Sequence, residues 1–171
     1  MPASNLIGAG HGLSLADFSS EPLMIPELQE RDTAGVIKEL SQALQRESCI
    51  PDLLPFYHAA LNREFLTSTA LSQGLAFPHA RLGGLQLLWF ALGRSADPII
   101  WGSKGALPVR LVFLVAVPST DATGYLHLLS GLSRLGKESQ CLEDLLTAKS
   151  PEEMVAILKQ IRLRNGRETA G

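Results

Sequence analysis

One histidine of the sequence stands directly after a proline, at the end of a short apolar segment, and cationic and hydroxyl side chains precede it. The histidine is His79, and both Arg63 and the run Thr67-Ser68-Thr69 lie within the 17 positions that end at it. Because proline fixes φ and keeps the preceding residue extended, the imidazole leaves the segment in a restricted direction. An imidazole can carry a phosphoryl group while a guanidinium and hydroxyls surround its oxygens. These residue types and their spacing therefore favour phosphoryl chemistry.

Metal-dependent and serine-based hydrolysis fit the sequence poorly. The four histidines, His11, His58, His79 and His127, show no ligand pairing such as HxH or HExxH. No GxSxG elbow is present either. For His58 and His127 the simplest interpretation is a surface or half-exposed position on a helix. The sequence thus predicts neither a metal nor another cofactor.

Composition favours one globular protein without a nucleic-acid partner. The chain has 171 residues, of which 46% are apolar and 19% charged, and its formal charge is −2. A nucleic-acid surface would normally show a basic stripe, and a bilayer span needs about 20 consecutive apolar residues, more than any run here. Cys49 and Cys141 are far apart and form no CxxC pair, as expected of reduced thiols in the cytosol. We therefore predict a cytoplasmic protein without direct membrane insertion.

Three segments are predicted along the chain. Residues 1–20 contain a Gly-Ala-Gly-His-Gly stretch and lack the basic and apolar regions of a signal peptide, so we interpret them as a flexible leader. Residues 21–163 form the domain. Residues 164–171 form a polar C-terminal tail.

Four helices are predicted from cap residues and apolar spacing. Asp32 or Thr33 caps the first helix, and the second runs from near Pro51-Asp52 to near Arg63-Glu64. The third follows residues 118–121, and the last begins at residues 150–153, where Ser, Pro and Glu occupy the preferred first positions. The expected apolar faces are Val36, Ile37, Leu40 and Leu44; Leu53, Leu54, Tyr57 and Leu61; Tyr125, Leu128, Leu132 and Leu135; and Met154, Val155, Leu158 and Ile161.

Strands are predicted from nearly continuous apolar runs. Leu85–Leu92 and Val109–Val117 are typical of strands covered on both faces, and Leu23–Leu28, with its proline, is typical of an edge strand. Residues 96–109 hold two prolines and two glycines, so we predict irregular structure around a short Ile99–Trp101 segment. Helices that alternate with buried strands favour an α/β sandwich in a single domain.

The stretch Arg63–His79 resembles a signature of the IIA domains of the bacterial sugar phosphotransferase system (PTS). The similar group is the type-2 EIIA family, which includes fructose- and mannitol-specific and nitrogen-regulatory proteins. The stretch contains Arg-Glu, then Ser-Thr, then a glycine-containing segment that leads to apolar-Ala-apolar-Pro-His. Weaker similarity extends over much of residues 20–163. The resemblance implies a mixed central β-sheet flanked by helices on both faces.

The resemblance also implies a function and the residues that perform it. His79 matches the phosphoryl acceptor, Arg63 the arginine that faces the phosphate, and Ser68 and Thr69 the hydroxyl pair near it. The implied donor is a small histidine phosphocarrier protein, and the implied acceptor is a IIB domain. The residue types agree with this chemistry, because histidine is substantially neutral at cytosolic pH and arginine is well shaped to neutralise phosphoryl oxygens.

Two departures from the family pattern leave a second interpretation open. Ala70 and Ser72 stand where the family often has glycine, and Tyr125 stands where its second active-site histidine usually precedes Leu-x-x-Leu-Ser. His127 lies about 200° around the helix from that position and cannot replace the missing imidazole. The Tyr125 hydroxyl can still hydrogen-bond His79 or a phosphate. The alternative function is therefore a stand-alone regulatory module of the nitrogen-regulatory type, whose phosphorylation state controls protein partners.

Overall fold

A mixed β-sheet of five strands separates two layers of helices in the computed structural model, which describes residues 13–102 and 107–163. The strands are β1 Met24–Ile25, β2 Leu75–Ala76, β3 His79–Leu82, β4 Trp89–Trp101 and β5 Leu107–Pro118, and the helices are α1 Thr33–Arg46, α2 Leu53–Leu66, α3 Ala122–Leu135, α4 Ser139–Thr147 and α5 Pro151–Leu158. This architecture confirms the predicted α/β sandwich with a mixed sheet flanked by helices on both faces.

The sheet is built around one antiparallel pair. β4 and β5 pair antiparallel, β1 adds to β4 in parallel, and both β2 and β3 add to β5 in parallel. The predicted edge strand is therefore present as β1, although it is limited to Met24–Ile25.

The long strand β5 supplies side chains to both halves of the core because successive residues point to opposite faces. Phe113 and Val115 pack with the layer of α3, α4 and α5, whereas Val112 and Leu114 pack with the layer of α1 and α2. A strand buried on both faces reads as a continuous apolar run, which explains why this element was predictable.

The strands β2 and β3 lie on one line that is interrupted by Phe77 and Pro78. Ala76 is opposite Val112 and His79 is opposite Val115, so the register does not change across the interruption. Pro78 has no N–H to donate, but its carbonyl accepts from the N–H of Val115 at 2.9 Å. The outcome is that His79 begins β3 at the open edge of the sheet.

The buried face of α2 differs from the prediction. Phe56, Ala60 and Glu64 are the buried residues of this helix, whereas Leu54, expected on the apolar face, is 57% exposed. The prediction placed Leu54 on the buried face, whereas the buried residues follow a spacing of four through Phe56, Ala60 and Glu64. The Glu64 carboxylate points inward to hydrogen-bond partners on other elements, which apolar spacing does not reveal.

Two other elements also differ from the prediction. The strand expected at Leu85–Leu92 begins only at Trp89, and it continues through Trp101 instead of giving way to irregular structure. A register irregularity between Arg94 and Ile99 accommodates Pro98, which had suggested a break in the strand. Helix α4 was not predicted at all.

The first described residues belong to the core, in contrast to the flexible leader predicted for residues 1–20. Leu15 and Phe18 are buried in a short 3-10 turn, and the N–H of Leu15 donates to the carbonyl of Ile161 at 3.0 Å. Residues 1–12, which include His11, and the predicted tail 164–171 lie outside the described residues. Within residues 13–102 and 107–163, no helix is long and apolar enough to cross a bilayer.

The cap of α3 should matter for the position of Tyr125 in its first turn. The Asp121 carboxylate accepts from the N–H of Gly124 at 3.0 Å, so Asp121→Ala should lower the free energy of unfolding by about 1 kcal/mol and speed amide exchange at Gly124. Asp32→Ala is the matched control, because Asp32 caps α1 through the N–H of Gly35 at 2.7 Å. Urea unfolding should give similar losses for both variants. Unchanged exchange at Gly124 in Asp121→Ala would contradict the proposed role of this cap.

Candidate functional site

An open cleft beside β3 brings three of the predicted site residues together. His79, Arg63 and Tyr125 line it, together with Arg81 and small or apolar residues, around a volume of about 340 Å³. His79 is half-buried, so its ring is neither sealed in the core nor fully hydrated. The cleft lies at the sheet edge, where α2 of one helix layer and α3 of the other approach the same strand.

The imidazole of His79 is held by a carbonyl two residues earlier. Its Nδ1 lies 3.1 Å from the carbonyl oxygen of Phe77. Since a carbonyl can only accept, Nδ1 carries the proton and Nε2 carries the lone pair. Burial lowers the pKa of His79, and the charges of Arg63 and Arg81 act in the same direction, against the Phe77 hydrogen bond and Glu64. The ring is therefore neutral at pH 7.

Tyr125 lies beside that ring. The two ring centroids are 5.2 Å apart and their planes are tilted by 41°. Burial raises the pKa of Tyr125, while Arg63 and Arg81 act to lower it. The phenol therefore keeps its proton at neutral pH and remains a hydrogen-bond donor. Its neighbour His127 is half-buried on α3 and is not among the residues that line the cleft.

Two guanidinium groups flank the imidazole. Arg63 lies in the last turn of α2, where its Nη1 donates to the carbonyl of Thr67 at 3.1 Å. This bond holds a cation at the C-terminal end of the helix, which also suits the helix dipole. Arg81 was missed by the sequence analysis. It follows His79 by two positions in β3, and the alternation of side chains along a strand is the signal that could have identified it.

The hydroxyls of Ser68 and Thr69 point to local partners. Ser68 Oγ accepts from the N–H of Ala70 at 3.2 Å. Thr69 Oγ1 is 3.0 Å from each carboxylate oxygen of Glu64 and accepts from the N–H of Phe77 at 2.8 Å. Because a hydroxyl has one proton, Thr69 has none left for a phosphate oxygen in this arrangement. Contact between Ser68 and a phosphate stays a prediction.

A buried carboxylate lies behind the cleft. Glu64 is 1% exposed, and it accepts from the indole N–H of Trp101 at 2.7 Å, from the backbone N–H of Thr69 at 2.7 Å and from the Thr69 hydroxyl. A charge withdrawn from water needs such partners, because an unpaired one would be strongly destabilising. The sequence analysis placed Glu64 in the signature stretch but predicted no role for it.

The cleft can attract and orient a small tetrahedral anion. Its lining includes a neutral imidazole with one lone pair, and two guanidiniums and a phenol that can donate hydrogen bonds. Across the part of the chain that the structure describes, no group of three or more His, Cys, Asp or Glu residues is arranged to hold a metal ion.

Comparison with known proteins relates this chain to a family. The family model described as "Phosphoenolpyruvate-dependent sugar phosphotransferase system, EIIA 2" matches residues 18–161. The PTS system fructose-specific EIIABC component of Bacillus subtilis (strain 168) is 30% identical over 133 residues, which cover 78% of this chain and 21% of that protein. The chain thus spans about a fifth of the length of that relative.

Shorter relatives match over nearly their whole length. The nitrogen regulatory protein of Bradyrhizobium diazoefficiens is 25% identical over 146 residues, or 85% of this chain and 95% of that protein. The crystal structure of the nitrogen regulatory protein IIA-Ntr from Neisseria meningitidis superposes with a TM-score of 0.70 at 30% identity, covering 84% of this chain and 98% of that one. Because the family model matches most of the chain and the fold agrees, this chain belongs to the EIIA type-2 family of the phosphoenolpyruvate-dependent sugar phosphotransferase system.

Proposed function

We propose that this chain is a phosphocarrier that receives a phosphoryl group on Nε2 of His79 from a histidine phosphocarrier protein and passes it to a IIB domain. The observation that carries the proposal is the state of the His79 ring. It is neutral, its Nδ1 is bound to the Phe77 carbonyl, and its Nε2 is left as the nucleophile at an open cleft between two guanidiniums. The reaction would take place in the cytoplasm.

The proposed transfer moves a PO₃ group between two ring nitrogens. The N–P bond of the donor breaks as the bond from phosphorus to Nε2 of His79 forms. The donor ring, which starts as a phosphorylated imidazolium with a proton on its other nitrogen, leaves as neutral imidazole, and the His79 ring becomes a phosphorylated imidazolium that keeps its proton on Nδ1. The Phe77 carbonyl then accepts a hydrogen bond from a more acidic N–H, which strengthens that bond in the product. No proton has to leave either ring.

Arg63, Arg81 and Tyr125 have the properties that this step requires. Phosphoryl transfer depends mainly on positioning and on neutralising charge on the transferred oxygens. The two guanidiniums can supply that charge, and the protonated phenol of Tyr125 can donate one further hydrogen bond. Both cations also favour the neutral form of His79, so they promote the nucleophile as well as the bound product.

A second candidate function is a regulatory module of the nitrogen-regulatory type, which takes phosphate on His79 but signals through protein contacts. One observation favours it: Tyr125 stands where the family pattern usually has its second active-site histidine. Both candidates share the first step, so they differ only in what removes the phosphate.

Phosphoryl labelling tests the shared step. Incubation with phosphoenolpyruvate, enzyme I and a cognate phosphocarrier should give acid-labile, base-stable label on the intact chain and none on His79→Ala, because that variant lacks the nucleophile. His58→Ala is the control, since His58 is exposed and outside the cleft. Label that persists in His79→Ala would refute the assignment. A cognate IIB domain that discharges the label supports the carrier, and label that stays on His79 supports the regulator.

Arg81 should contribute to the rate of this labelling. A charge-assisted hydrogen bond is worth about 1.5–3 kcal/mol, so Arg81→Gln should slow labelling by about ten- to a hundredfold. Arg31→Gln is the matched control, because Arg31 carries the same charge in a surface pair with Asp97 at 3.9 Å. Rapid-quench measurement at several donor concentrations gives the rate at saturation. Equal rates for Arg81→Gln and Arg31→Gln would exclude a role in the transfer.

The pH dependence of His79 follows from its environment. Because its pKa in the folded protein is below the ordinary value of 6.5, the reactive neutral form should predominate at pH 6.5 and decline only at lower pH. The unfolded chain binds this proton first, so folding stability should fall as the pH drops from 6.5 through the pKa of folded His79. NMR titration against a Phe-Pro-His-Ala peptide measures the difference. Arg63→Gln should move the pKa upward, and a His79 pKa at or above that of the peptide would contradict the prediction.

A further inference from the structure

A chain of hydrogen bonds joins the buried carboxylate of α2 to the ring of His79. The Thr69 hydroxyl donates to Glu64, the N–H of Phe77 donates to the Thr69 hydroxyl at 2.8 Å, and the Phe77 carbonyl lies 3.1 Å from Nδ1 of His79. We infer that Glu64 and Thr69 are positioning residues, which act through Phe77 to hold His79 in the tautomer that has its proton on Nδ1. The effect on the rate of phosphorylation rests on the proposed function, whereas the effect on the tautomer does not.

The sheet alone does not fix Phe77. The N–H of Val115 donates to the carbonyl of Pro78, so the adjacent residue, Phe77, presents its own N–H and carbonyl to the opposite side, toward the edge of the sheet. β2 and β3 pair only with β5 in the described part of the chain, so no neighbouring strand satisfies those groups. The Thr69 hydroxyl takes the N–H, and His79 takes the carbonyl.

The buried carboxylate gives the Thr69 hydroxyl its direction. A free hydroxyl can rotate and donate to water, but the Thr69 hydroxyl donates its hydrogen bond to Glu64, so a lone pair of Thr69 Oγ1 is directed at the N–H of Phe77. Glu64 is itself fixed by the indole of Trp101 and by the backbone N–H of Thr69, both at 2.7 Å. The Phe77 ring packs against that of Phe113, with the two ring centroids 5.6 Å apart, and this contact holds the side chain of Phe77.

The position of the Phe77 carbonyl decides which ring nitrogen of His79 is nucleophilic. A neutral imidazole carries one proton, and the hydrogen bond made by one nitrogen sets the state of the other. While the carbonyl accepts from Nδ1, the lone pair is on Nε2. If the carbonyl turns away, the proton can move to Nε2 through solvent, and the ring then has no lone pair at that position.

Long-range ¹H–¹⁵N NMR spectra of the His79 ring, recorded on the neutral form without any phosphoryl donor, test the inference directly. The wild-type chain should show protonated Nδ1 and unprotonated Nε2. Thr69→Val should add a signal for protonated Nε2, and Thr69→Ser should restore the wild-type pattern. Thr33→Val is the matched control, because the Thr33 hydroxyl also accepts from a backbone N–H, that of Gly102 at 3.0 Å.

Labelling rates supply the second measurement. Residues that orient a functional imidazole, such as the outer partners of metal-binding histidines, commonly contribute about ten- to a hundredfold, and we expect such a loss in Thr69→Val at saturating donor. Donor affinity should change little, because Thr69 is not among the residues that line the cleft. Thr33→Val should label at the wild-type rate even if its melting temperature falls as much.

Each outcome separates the two proposals. Folded Thr69→Val with a wild-type tautomer overturns the positioning role, even where wild-type protein is labelled as proposed. A shifted tautomer supports that role even if no donor labels the wild-type chain. If Thr69→Val does not fold, Glu64→Gln takes its place: its amide N–H can donate to Thr69 Oγ1 in competition with Phe77, so a mixture of tautomers is expected. An unchanged tautomer in that variant also overturns the inference.

Discussion

The geometry of the cleft depends on the hydrogen bonds that the buried carboxylate of Glu64 accepts. This carboxylate joins the last turn of α2 to the end of β4 through Trp101, and to the segment before β2 through Thr69. Arg63 precedes it in the helix, about 100° away around the axis, so an inward Glu64 directs Arg63 to the surface beside β3. Burial of the Glu64 charge is tolerated because all of these partners are present together. By fixing Glu64, the same partners also fix the position of Arg63 in the cleft.

The second constraint is the interruption of the edge strand at Phe77 and Pro78. Because the register continues from β2 to β3, His79 is held by the sheet, while the residue before the proline keeps its polar groups free for side chains. Edge strands normally leave such groups to water or to another chain. Here they orient an imidazole between Arg63 from one helix layer and Tyr125 from the other, so the site requires both layers of the sandwich.

The sequence was sufficient for the features that depend on local pattern. The sequence predicted strand β5, which is buried on both faces, and the helix caps at Asp32 and Ser150. It also predicted that Arg63 lies near His79. Features that depend on distant partners were not predicted. The inward direction of Glu64 requires Trp101, 37 positions away, and the packing of Leu15 requires the C-terminal end of the described chain. The resemblance implied that the Thr69 hydroxyl lies near the phosphate, and in the structure that hydroxyl bonds Glu64 and Phe77.

The charge balance of the cleft is compatible with both proposed functions, the carrier and the regulator. Before phosphorylation it presents two guanidiniums around a neutral ring and a neutral phenol. A doubly charged phosphoryl group on a ring that keeps its Nδ1 proton changes the net charge by about −1, which would offset about half of the charge of those cations. A partner that contacts the cleft would therefore meet a strongly cationic surface in one state and a weakly cationic one, with a phosphoryl group at its centre, in the other. In either proposal, whether the phosphate is then transferred depends on a nucleophile that the partner brings to it, while Tyr125 can only donate a hydrogen bond to the phosphoryl oxygens.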